Sequence, residues 1–257
     1  MAELEGQELA DSVARALNAA DIPCVLWGHY LMSAHGIPTC TASIDFVVPD
    51  AKLAAAQEVI STSTHFTQPL VACPDTTTCL KTAPGLSQPY PEFHLHIEGM
   101  TDPLVTTAVM LFVQSKTLWF LPRFRDHLAK PREQQLPRYL ALASDKTALP
   151  PVAPGMGYGH FKSDETVVLV PKVHIFLEAL MRIYARDYWK DIGIHSRSYF
   201  NYIGIYVEKR GFLNLDLLPE PFKDLYMDFT QGSMLGRDVE LRMMRTLGTP
   251  IRASQYR

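Results

Sequence analysis

The chain lacks a cysteine framework: Cys24, Cys40, Cys73 and Cys79 form no C-x-x-C pair, and two of them fall in predicted core segments. That usage argues against a disulfide scaffold and points to a reduced, cytoplasmic setting. Neither charge sign dominates. With 24 Lys and Arg against 27 Asp and Glu, the formal net charge is −3, so no basic field draws the chain to nucleic acid or to an anionic membrane. No apolar run reaches the roughly 18 residues that a spanning helix needs. The opening MAELEGQELADSVARAL is acidic and amphipathic, without a signal-peptide core. No internal repeat is present. Of the 257 residues, 47% are apolar and 20% charged, enough to bury a large core as one domain or two packed lobes.

Residues 25–50, VLWGHYLMSAHGIPTCTASIDFVVPD, read as strand, glycine turn, short helix, second turn and second strand. The run 24–27 enters the fold and Gly28 breaks it. Leu31, Met32 and Ala34 cover one helix face, and Gly36, Ile37 and Pro38 close the helix. Residues 44–48 form a buried strand carrying one acid, Asp45. A carboxylate in such a run is costly unless it is paired, hydrogen-bonded or holding a metal.

Before this stretch, Leu9, Val13, Ala16, Leu17 and Ala20 recur at helical spacing, so a helix is expected over 4–20. After it, residues 51–62 form a helix with Leu53, Ala56, Val59 and Ile60 on one side and Asp50 as N-cap. Residues 61–91 are rich in Thr, Ser and Pro and suggest short edge strands. Phe93, Leu95 and Ile97 alternate with His94, His96 and Glu98, as in a half-buried strand. A turn at 99–103 leads to a central strand over 109–113, a turn at 114–116 and a further strand at 118–121. Four amphipathic helices follow residue 171, marked by Val173 and Phe176, by Tyr199 and Ile203 before Gly211, by Phe222 and Tyr226, and by Val239 and Met243 before Gly248 and Pro250. The expected organisation is an α/β-like domain of the α+β class over 1–121, with a small mixed sheet and flanking helices. A proline- and glycine-rich connection or lid spans 122–170, and a helical lobe spans 171–257.

The order strand, Gly-turn, helix, Gly-x-Pro, Thr and an acid in an apolar strand resembles the nucleotidyltransferase fold, and most of all the fungal nucleotidyltransferase-like proteins. Members carry Gly-Gly or Gly-Ser after the first strand. G-x-x-R-x-T then leads into D-x-D, and a third acid comes from a later strand. The turn holds a triphosphate, and the acids hold two divalent metals that activate the attacking hydroxyl. In this chain Gly28-His29 stands at the turn, Thr39 at the Arg, Thr41 at the Thr, Ser43 at the first acid and Asp45 at the second. The third acid is sought at 93–98, which offers His94 and His96 beside Glu92 and Glu98, or at 109–113, which offers none.

A serine supplies no negative charge to offset two Mg²⁺ ions. The residues therefore point to a scaffold that has lost its metal triad and serves a cofactor-free cyclisation, isomerisation or pericyclic reaction of a small, mostly apolar molecule. The resemblance suggests fungal specialised metabolism. Shape and one or two placed donors suffice for such chemistry. The candidate catalytic residues are His29, Ser43, Asp45, His94 and His96. Candidate substrate contacts are Trp27, Gly28, Thr39, Thr41, Trp119, Tyr158 and Phe161.

Each has a plainer alternative. Asp45 is a cleft acid, or a carboxylate satisfied by backbone amides. His29 faces the cleft, or solvent at a helix start. His94 and His96 share one strand face, as a metal pair with Asp45, an acid–base cleft, or a polar outer face. The aromatics, with Phe120, line a pocket or fill the core. Arg182, Arg186, Asp187, Trp189, Lys190 and Asp191 form a solvated helix end, or bind phosphate. G-M-G-Y-G at 155–159 is no phosphate loop, since no Lys-Ser/Thr follows it. A non-catalytic binding protein and a metal-dependent nucleotidyltransferase with an unusual triad, which would need Mg²⁺, are the competing functions.

Overall fold

The computed structural model describes residues 2–63, 66, 69–72, 90–98, 108–130, 136–162, 165–187, 193–231 and 236–247. The expected edge strands within 73–89, the turn at 99–103, Trp189, Lys190 and Asp191 of the charged cluster, and Gly248 and Pro250 lie outside these residues. The chain forms two compact units, Met1–Pro171 and Lys172–Arg257.

The first unit is a mixed β-sheet with flanking helices. Its elements in chain order are α1 (Ala2–Ala19), β1 (Val25–Trp27), α2 (Gly28–Ala34), β2 (Ser43–Val48), α3 (Leu53–Thr62), β3 (Leu70–Ala72), β4 (Phe93–Ile97), β5 (Ala108–Val113), α4 (Gln114–Thr117), β6 (Leu140–Leu142) and β7 (Leu169–Pro171). The seven strands lie in the order β3-β4-β5-β2-β1-β7-β6. β1 runs antiparallel to β2 and parallel to β7, and β2 runs parallel to β5. β4 is antiparallel to both β3 and β5, and β6 to β7. β2 and β5 are buried at every residue. Covered faces on both sides explain why these two read as near-continuous apolar runs rather than alternating ones. α1 buries Ala10, Val13, Ala14 and Leu17, the i, i+3, i+4, i+7 stripe of an amphipathic helix.

Three local expectations are corrected. Residues 118–121 turn after α4 instead of forming a strand. The Gln114 side chain sets that turn, donating to the Pro122 carbonyl at 2.8 Å and accepting from the Phe124 amide at 2.9 Å. Asp50 does not cap a helix with its side chain. A short 3-10 turn, Asp50–Lys52, precedes α3, and the Asp50 carboxylate accepts from the amide (3.1 Å) and hydroxyl of Ser115 instead. Residues 122–170 are more than a connection, because they carry β6 and lead into β7, which pairs with β1. The Gly-rich turn at 155–159 fastens onto the end of α2. Gly157 and Gly159 amides donate to the carbonyls of Gly36 and Ser33, and the Tyr158 amide to the Ser33 hydroxyl.

The second unit is helical: α5 (Val173–Asp187), α6 (Gly193–Tyr206), α7 (Phe222–Gln231) and α8 (Gly236–Leu247). Phe200 links α6 edge-on to Tyr184 of α5 (5.7 Å) and to Phe229 of α7 (5.6 Å). Arg182, expected at a solvated helix end, is buried. Its guanidinium pairs with the fully buried Glu178 one turn back at 2.6 Å and lies 4.5 Å over the Phe222 ring. Helical spacing alone cannot distinguish an exposed i, i+4 ion pair from a covered one. Arg186, by contrast, is exposed and pairs with the buried Asp187 at 2.6 Å.

Candidate functional site

Strand register assembles the site. Trp27 of β1 lies opposite Asp45 of β2, Asp45 opposite Met110 of β5, and Met110 opposite His94 of β4. One row therefore crosses four strands. A second row, two residues along each strand, reads Ser43, Ala108, His96 and Val71. Because side chains alternate along a strand, both rows belong to one face of the sheet. Ser43, Asp45, His94, His96 and Trp27 are thus brought to a common face, with Met110 and Ala108 between the β2 and β4 groups.

Gly28 closes over this face. It opens α2 at φ +63, and a Cβ built there would lie 1.9 Å from Oδ2 of Asp45. Only glycine permits that backbone conformation cheaply and that approach at all. The carboxyl of Asp45 is 3% exposed and hydrogen-bonded by the Ser43 side chain, and its Oδ1 has no partner among the described residues. Burial pushes its pKa up to about 7, against the opposing pull of the Ser43 bond. His94 is also buried, with Nε2 unpartnered among the described residues. Burial first, and the neighbouring His96 second, hold it below the usual histidine range. The two imidazoles meet edge to face at 5.3 Å. The solvated outer face that alternation suggested for them is corrected for His94. β4 is an interior strand of the sheet, flanked by β3 and β5, and only His96 remains half-buried.

The folded-state pKa of Asp45 lies above that of a free carboxyl, so the native state holds the extra proton between about pH 4 and about pH 7. Stability must then fall as pH rises through that window. The half-buried Asp11, raised to about 6 mainly by burial, tilts the same way. Asp45→Asn is expected to flatten the slope and to stabilise the protein at pH 8 by up to about 4 kcal/mol, at 1.36 kcal/mol per pH unit. Urea unfolding at pH 4, 6 and 8 measures this; an Asp45→Asn slope equal to wild type removes Asp45 as its source.

The other expected site residues are distributed as follows. His29 is half-buried in the first turn of α2. Thr39 is half-buried in the α2–β2 connection, its hydroxyl donating to the Cys40 carbonyl, and Thr41 is buried. Tyr158 and Phe161 pack on Tyr30 of α2 at 5.6 and 5.9 Å. Trp119 is 36% exposed beside the buried Phe120. Met110 and Ala108 went unnoticed in the sequence. They sit in a uniform apolar run, and only the register with β2 reveals that they flank Asp45.

Among the described residues no three His, Cys, Asp or Glu side chains converge as a metal site, so Asp45, His94 and His96 are not a ligand set. The donor set does not fit the two divalent cations that the nucleotidyltransferase resemblance implies. Beside Asp45 and Ser43 the adjoining parallel strand presents Met110 and Ala108, and Asp45 is the only carboxylate in either row. Such cations need several hard oxygen ligands with compensating charge. No helix among the described residues is long and apolar enough to cross a membrane. Comparison of the chain with protein-family models, curated proteins and solved structures returns no match.

Proposed function

We propose that the chain is a nucleotidyltransferase-like scaffold without its metal chemistry, acting on a small, mostly apolar molecule through the Asp45 row. The carrying observation is the surroundings of Asp45. It is a buried carboxyl with one unpartnered oxygen, set between Trp27 and Met110 and steadied by Ser43. A carboxyl titrating near 7 is suited to proton transfer at neutral pH, which fits an isomerase or cyclase. The strand, Gly28 turn, α2 and acid-bearing β2 follow one another along the chain, which is the order that suggests the resemblance. Ser43 stands where the resemblance expects the first acid, and β5 sets Ala108 opposite Ser43 and Met110 opposite Asp45.

A thermal-shift screen tests the metal-free reading. ATP or CTP with Mg²⁺ or Mn²⁺ is expected to leave the midpoint unchanged. A ligand at 100 times its Kd would add about 2.7 kcal/mol, several degrees for a chain of this size, and such a shift sinks the reading. In Ser43→Asp, two carboxylates stand two residues apart on one face, and Mg²⁺-dependent stabilisation is expected to emerge. Its absence would remove the assignment of Ser43 to the lost acid position.

A further inference from the structure

Oδ1 of Asp45 and Nε2 of His94 are buried polar atoms without partners among the described residues, and register puts both in one row with Met110 between them. Buried polar atoms in native proteins are nearly always satisfied, so two in one row call for an explanation. Each carries a desolvation cost that a hydrogen bond from a ligand would offset. The backbones of β2 and β4 stand two strand spacings apart, about 10 Å, a span that a single substituted ring bridges. Met110 supplies a soft apolar floor between the two anchors. None of the seven strands described carries a Lys or Arg, so the strands themselves offer no cation for a phosphate or carboxylate.

We propose that the Asp45–Met110–His94 row binds a neutral hydroxyaryl ketone, its hydroxyl donating to Asp45 and its carbonyl accepting from Nε2–H of His94. This names the substrate class for the metal-free reading above and rests on it. Above about pH 7, where Asp45 is ionised, its carboxylate accepts and cannot donate, whereas an imidazole N–H donates. A molecule with a donor at one end and an acceptor at the other therefore matches the row in polarity. Both anchors are buried, and binding gives a hydrogen bond to each of two atoms that have no partner among the described residues.

Isothermal titration of the full chain with 4-hydroxyacetophenone tests the proposal, with phenol and acetophenone as probes lacking one anchor each. The para-substituted ketone is expected to bind at least fivefold more tightly than either. Asp45→Leu and His94→Phe, which remove the acceptor and the donor, are each expected to weaken it at least fivefold, the effect of one lost hydrogen bond. Nitrogen-15 histidine spectra of the wild-type chain provide a readout independent of variant folding: the Nε2 resonance of His94 should move on addition of the ketone. No binding, losses below fivefold, or an unmoved His94 resonance overturns the proposal. Stabilisation by Mg²⁺-ATP would sink the metal-free reading instead, so the two failures are distinguishable.

Discussion

Gly28→Ala is expected to cost about 2–4 kcal/mol or more, a large share of the 5–15 kcal/mol that holds a typical domain together. Two effects add. An alanine at φ +63 takes on left-handed backbone strain of about 1 kcal/mol or more. Its Cβ would also stand 1.9 Å from Oδ2 of Asp45, and forcing atoms into a filled interior costs about 1–3 kcal/mol or more. The carboxyl cannot swing aside freely, because Trp27 and Met110 flank it and Ser43 bonds it. A double-mutant cycle separates the two effects. Adding Asp45→Ala to Gly28→Ala should recover the steric part and leave the backbone part. Urea denaturation of the four proteins measures the coupling, and additive losses would mean that Gly28 and Asp45 do not collide.

The helical unit carries the second large effect. Glu178→Ala is expected to destabilise by about 3–5 kcal/mol, because it removes the buried carboxylate that stands 2.6 Å from the buried Arg182 guanidinium. The Phe222 ring beneath that guanidinium, at 4.5 Å, recovers only a part, on the order of 1–2 kcal/mol for a desolvated cation–π contact. Replacing both partners, Glu178→Leu with Arg182→Met, should restore most of the loss, since an apolar pair of similar volume needs no desolvation. Thermal midpoints of the three variants decide the matter. A double variant no better than Glu178→Ala would show that the site requires the ion pair for packing rather than for charge balance.

How far the sequence discloses this protein depends on where the physical cause lies. The strand–turn–helix–strand unit around Gly28 and Asp45 was legible because it is local: β-branched runs, a glycine at the reversal and a single acid carry their own signals. The four helices after residue 171 were legible for the same reason, through their apolar stripes. β6 and β7 were not. Each has only three residues and lies within or at the end of a proline-rich segment, so period and length say nothing. The apolar run at 118–121 reads as a strand until Gln114 is seen holding the chain on both sides of it. Asp50 resembles a helix cap because its true partner, Ser115, is far along the chain. At the site, the residue types at 43, 45, 94 and 96 stood out at once. What stayed hidden was that Met110 lies between Asp45 and His94, since cross-strand register is a long-range property.

The pairing of Val25 with Leu169 also sets the order in which this protein becomes complete during synthesis. The partners are 144 positions apart (169 − 25), an interval that translation at 5–20 residues per second covers in roughly 7–30 s. Until β7 emerges, the free edge of β1 presents unpaired amides and carbonyls on a short, wholly apolar strand, a template for the wrong neighbour. A chain truncated before residue 169 lacks the strand that covers this edge, and it is expected to scatter more light than the full chain at equal concentration.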